Sequence, residues 1–103
     1  MGISNKVVIS VLGVILSAVS LSAFAFTGQN LAGNAKVSIE SARTIAMKAY
    51  PGKITDEELE QEKGGSGLRY SFDIKNGQVT HEVGVDAKTG AVLENSTEGT
   101  HPD

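Results

Sequence analysis

The chain has 103 residues, nine basic against twelve acidic side chains and a formal charge of −3. It has no cysteine, which excludes disulfides and a cysteine-linked lipid anchor, and its lysines are scattered singly among acids, which argues against nucleic acid and anionic membrane surfaces as partners. Regular patterning is confined to roughly 60 residues between Lys36 and Ser96, enough for one small core and too little to wall a chemical centre off from water.

Met1 to Lys6 carries one positive side chain, Val7 to Leu21 is uncharged and mostly apolar, and Ala23-Phe24-Ala25 places small residues at the two positions a signal peptidase reads. Residues 1–25 are therefore expected to be a signal peptide cleaved after Ala25, leaving the mature chain in the periplasm or outside the cell. The alternative is a retained anchor, because the uncharged run to Phe26 approaches the ~20 residues that span a bilayer. Cleavage removes Lys6 and no acid, so eight basic residues face twelve acidic ones and the mature charge is −4.

Residues 26–35 contain Thr27-Gly28-Gln29-Asn30 and Gly33-Asn34 without periodicity, and read as a flexible leader. Ser38 then precedes Ile39, Ala42, Ile45, Ala46, Ala49 and Tyr50, which share one side of a 3.6-residue helix. Ser38 suits the N-cap, Glu40 and Lys48 suit the helix dipole, and Pro51-Gly52 ends the helix.

Residues 53–63 are ambiguous. Thr55-Asp56-Glu57-Glu58 has capping-box form, but a helix here has only Leu59 to bury after Ile54. A polar edge strand fits better, with Thr55, Glu57, Leu59 and Gln61 on one face and Gly64-Gly65-Ser66-Gly67 as the following loop. Leu68, Tyr70, Phe72 and Ile74, then Val79, His81, Val83 and Val85, alternate with polar residues, the period of strands with one buried face. Asn76-Gly77 joins them as a tight hairpin turn. Asp86 to Gly90 is a wider turn in which Asp86 accepts backbone amides and Gly90 is left-handed, before Ala91-Val92-Leu93 returns as a strand. From Glu94 the chain reads as a polar tail, with the domain ending near Ser96 and residues 97–103 disordered.

One helix followed by an antiparallel meander is an α+β architecture of three to four strands. Its detailed pattern resembles the PepSY domain over Lys36 to Glu94: Ser38-Ile39-Glu40-Ser41-Ala42 opening the helix, Tyr50-Pro51-Gly52-Lys53 closing it, and Asp86-Ala87-Lys88-Thr89-Gly90 followed by a short apolar strand. The resemblance implies a small exported or membrane-associated module of the kind found in propeptides of thermolysin-like metallopeptidases, in germination proteins, in membrane reductases and as free-standing domains. It further implies binding or restraint of an envelope peptidase, with no catalysis by the domain and no cofactor. With no peptidase domain in this chain, the expected partner is met in trans.

The residues themselves offer little chemistry. His81 falls on the apolar face, where a hydrogen-bonded place at the core edge is expected, and the other histidine, His101, lies in the tail beside Asp103, too few ligands for a zinc site. The acidic run from Asp56 to Glu62 lacks the glycine-turned spacing of a calcium loop. Ser38 and Ser41 have no histidine nearby in sequence, and Asn95-Ser96-Thr97 is read as a chance match to a glycosylation acceptor. The expected interaction surface is the polar sheet face and first-strand edge, with Asp56, Glu58, Glu60, Arg69 and Lys75. The alternative from another class is a periplasmic carrier of a metal or small molecule, using the sheet face around Tyr70, Phe72 and His81.

Overall fold

The computed structural model describes residues 26–98. The expected signal segment and its cleavage site, and His101 and Asp103 of the tail, lie outside these residues. In chain order the elements are a 3-10 helix Gln29–Asn34, helix α1 Ile39–Ala49, and strands β1 Lys53–Gln61, β2 Leu68–Asn76, β3 Val79–Asp86 and β4 Val92–Thr97. The four strands form one antiparallel sheet in the order β1-β2-β3-β4, with α1 packed on one face. No helix among the described residues is long and apolar enough to cross a membrane.

Helix α1 begins and ends where its sequence dictates. The Ser38 hydroxyl accepts the Ser41 N–H at 3.1 Å, and Tyr50 leaves helical geometry ahead of Pro51. Its buried side chains are Ile39, Ala42 and Ala46. The two alanines are small enough to bring the helix close to Tyr70, Phe72, Ile74, Val83 and Val85, which are all buried beneath it. The Tyr70 hydroxyl donates to Val37 O at 2.7 Å, so the one polar atom of that ring is satisfied inside the core.

Strand β1 is an edge strand as expected, but its faces differ from strict alternation. The register shifts between Ile54 and Asp56, so Thr55 is the extra residue of a bulge, and Ile54, Glu57 and Leu59 face Ile74, Phe72 and Tyr70 on the core side. Without the bulge Ile54 and Leu59, an odd number of residues apart, would lie on opposite faces. The β2–β3 hairpin pairs Asn76 with Val79, so the turn consists of Gly77 and Gln78 rather than Asn76 and Gly77. Asn76 ends the strand, and its amide donates to Pro51 O at 2.9 Å.

Two segments expected to lack structure are ordered. Residues 26–35 are not a flexible leader: Thr27 bridges Glu58, the 3-10 helix follows, and Phe26, Leu31 and Ala35 pack against the core. At the other end, Glu94 to Thr97 belongs to β4, and the Glu98 N–H donates to Thr80 O at 2.8 Å. Pairing with β3 supplies what the polar residues Glu94-Asn95-Ser96-Thr97 lack in strand propensity.

Candidate interaction surface

The face of the sheet opposite α1 is built from rows of side chains set by the register. Asp56, Asp73, Glu82 and Ser96 form one row, Glu58, Ser71, Gly84 and Glu94 the next, and Glu60, Arg69 and Asp86 a third. Acid stands opposite acid in the first row, an arrangement that costs stability. Burial, then Glu98 and Asp56, push the Asp73 carboxyl above the ordinary carboxylate range. Burial, then Glu94 and Asp73 foremost among its acidic neighbours, do the same to Glu82; burial, then Glu60 and Asp56, do it to Glu58. Asp73, Glu82 and Glu98 each bring one carboxylate oxygen within 4.8 Å of the others, the group among the described residues that a hard cation could join.

A folded-state value above the unfolded one means that the folded chain binds more protons, so these groups lose stability as pH rises from the ordinary carboxylate range through the raised value. Their penalty is fully present at neutral pH. Asp73→Asn combined with Glu82→Gln is expected to stabilise the chain at pH 7 by about 0.5 kcal/mol, a few degrees in melting temperature. The gain should vanish near pH 3, and equal melting temperatures at pH 7 would show that solvent already screens the repulsion.

Of the expected surface residues, Asp56 and Lys75 are exposed and Glu58 and Glu60 half-buried, with Glu60 accepting the Ser71 hydroxyl at 2.7 Å. Lys75 sits apart, opposite Lys53 and Thr80 at one end of the face. Arg69 is not available to a partner. It is 7% exposed, lies over Gly84, and its guanidinium donates to Glu94 Oε1 at 3.3 Å and Lys63 O at 3.1 Å, with Glu62 at 3.9 Å. The cation that was expected on the binding surface is a tie across it.

On the helix-covered face Tyr70 and Phe72 are buried, 1% and 0% exposed, and the opening beside Tyr70 is lined by Phe26, Val37 and Ile39 rather than by Phe72 or His81. His81 stacks on Tyr50 with ring centroids 3.7 Å apart, Nδ1 lies 2.7 Å from Asn95 Oδ1, and Nε2 lies 3.2 Å from Thr97 Oγ1. Asn95 Nδ2 donates to Ala49 O, so its Oδ1 is the acceptor and the network assigns the ring proton to Nδ1. Both imidazole nitrogens are therefore committed. The carrier reading loses His81 as a free ligand, and Asn95, expected in a polar tail, joins β4 to the C-terminus of α1.

The wider turn has the geometry its residues call for. The Asp86 carboxylate is 1% exposed and accepts the N–H groups of Lys88 at 2.8 Å and Thr89 at 3.1 Å, while Gly90, at φ +83°, donates its N–H to Asp86 O at 2.9 Å. The same carboxylate takes the Ser66 N–H at 2.6 Å and the Ser66 hydroxyl at 2.8 Å, tying the turn to the glycine-rich loop. Ala87 O receives the N–H groups of both Lys36 and Val37, each at 2.9 Å, which fixes the chain entering α1. Residues 36–95, which contain this turn, match the PepSY family, described as the peptidase propeptide and YPEB domain. The chain belongs to that family.

None of the curated proteins and none of the solved structures matches the chain. In this PepSY domain the Asp86–Gly90 turn is a structural clasp whose buried carboxylate is consumed by internal hydrogen bonds. Ser66 was the partner hardest to foresee; the run Gly64-Gly65-Ser66-Gly67 signals a loop, and only the fold brings it to Asp86. Among the described residues the Ser38 hydroxyl caps α1, and the hydroxyl that stands against an imidazole is that of Thr97, 3.2 Å from His81 Nε2 at the exposed sheet edge.

Proposed function

We propose that this PepSY domain is a non-catalytic exported module that binds, and so restrains, an envelope peptidase or another exported protein in trans. The observation that carries the reading is the two-faced sheet: α1 covers one side, while the other presents Asp56, Glu58, Asp73 and Glu82 with no element of the described chain packed over them. Such a face selects a partner with a basic surface and speeds its encounter. Export rests on the apolar N-terminal segment, and an N-terminal sequence beginning at Phe26 is the expected result for protein recovered from outside the cytoplasm.

The test is cross-linking of the exported protein in envelope extracts, followed by measurement of peptidase activity with and without it. The wild-type chain is expected to capture a protein and lower an activity. Reversing charge with Asp56→Lys and Glu58→Lys should reduce capture by about tenfold, with the remaining binding less sensitive to salt. Capture unchanged by the reversal overturns the acidic face as the contact; no capture and no change in any activity overturns the function.

A further inference from the structure

We propose that the outer edge of β1 is a strand-addition groove held shut by the chain's own segment Phe26–Gly28, and that the partner enters it as an extended segment carrying an aromatic side chain where Phe26 now sits. The inference rests on the binding function proposed above and names where and how that binding occurs.

The resident segment already performs strand addition over one residue. Thr27 forms a parallel bridge with Glu58, and Thr27 O accepts the Leu59 N–H at 2.8 Å. Phe26 places its ring centroid 6.3 Å from that of Tyr70, in a tilted aromatic pair. The ring is only half-buried, and a cleft lies on each side of it. One of about 270 Å³ is bounded by Ile54, Thr55 and Glu57, and another of about 400 Å³ by Ala35, Val37 and Tyr70. The slot is larger than its occupant.

The strap's fit is written into the sequence, yet its hold is slight. Gly28 has φ +84°, and a Cβ added there would overlap the Leu59 carbonyl oxygen, so only glycine permits the strap to lie this close. After Gly28 the chain turns into the 3-10 helix, with the Leu31 N–H donating to Gly28 O at 2.8 Å, and leaves the edge after a single bridge. Backbone groups of a strand alternate in direction, so those of Glu57 and Gln61 point outward as Leu59's do. A longer segment can bond at these positions and outcompete the strap. Asp56 and Glu58, beside the same edge on the acidic face, favour basic residues flanking its aromatic side chain.

The test uses the full chain and, as probe, a labelled synthetic peptide copying residues 24–30. Gly28→Val expels the strap. That variant is expected to bind the peptide at least tenfold more tightly than wild type, to lose amide-exchange protection at Leu59, and to regain it when the peptide is added. The same peptide with Phe26→Ala should not bind. Phe26→Ala in the chain, which leaves Gly28 and the sheet intact, should show the same trend and guards against a misfolded Gly28→Val. Equal peptide binding by wild type and both variants, or no binding while the Leu59 amide exchanges freely, overturns the groove. Dimerisation through exchanged straps without peptide binding assigns it to a second copy and also overturns the proposal. Peptide exchange without capture of an envelope protein leaves the groove standing and removes the proposed function; capture unaffected by Gly28→Val does the reverse.

Discussion

Asp86→Ala is expected to destabilise the domain by about 3 kcal/mol or more, lowering its melting temperature by over 10 °C. The carboxylate accepts from Lys88, Thr89 and, twice, Ser66. Alanine removes all four bonds and leaves backbone donors in a buried corner without acceptors, each costing about 1–3 kcal/mol unless water reaches it. Burial alone would raise the Asp86 pKa, but the hydrogen bonds from Lys88, Ser66 and Thr89 outweigh it and hold the group at about 2. A depressed folded-state value means that the group's stabilisation is present above its ordinary value near 3.8 and is lost as pH falls through about 2. This runs opposite to the outer-face acids, whose penalty is relieved as pH falls. The wild-type chain should therefore be most stable on the acid side of neutrality and then lose stability near pH 2, while Asp86→Ala lacks that final decline. Thermal melts between pH 2 and 8 check both, and a melting temperature within 2 °C of wild type at pH 7 would show that water replaces the carboxylate without cost.

The parts of the fold that could be read in the sequence are those whose reasons are local. The helix from Ile39 to Ala49 follows from its cap, its apolar side and Pro51; the alternation in β2 and β3 follows from one buried face. The parts that could not be read depend on distant pairing. Glu94 to Thr97 has no strand signal of its own and is ordered by β3, and the faces of β1 depend on a bulge that matches Ile54 to Ile74. The leader is ordered because Gly28 fits against Leu59, a contact that no window around Gly28 contains. The candidate surface was legible as acidic, but Arg69 was misplaced. A polar position in the strand pattern reads as solvent-facing, whereas Gly84 leaves room for its side chain to lie flat and reach Glu94.

Gly90→Val tests whether the Asp86–Gly90 turn is a matter of backbone geometry alone. Gly90 sits at φ +83°, which costs a side-chain-bearing residue about 1–2 kcal/mol, and a Cβ there would lie 3.3 Å from Ile45 Cδ1 on α1. Valine adds its branching to both problems, so a loss of about 2 kcal/mol is expected, measured by urea unfolding with an unchanged slope. Gly90→Asn, which tolerates the left-handed region, should lose less than Gly90→Val, and Lys88→Ala, at an exposed position, should change little. That ordering follows from conformation, because the Lys88 side chain takes no part in the clasp. If Gly90→Val abolished partner capture at a temperature where the variant is folded, or if Lys88→Ala did so without loss of stability, the turn would touch the partner directly, and the binding surface would extend from the acidic face to the end of the sheet.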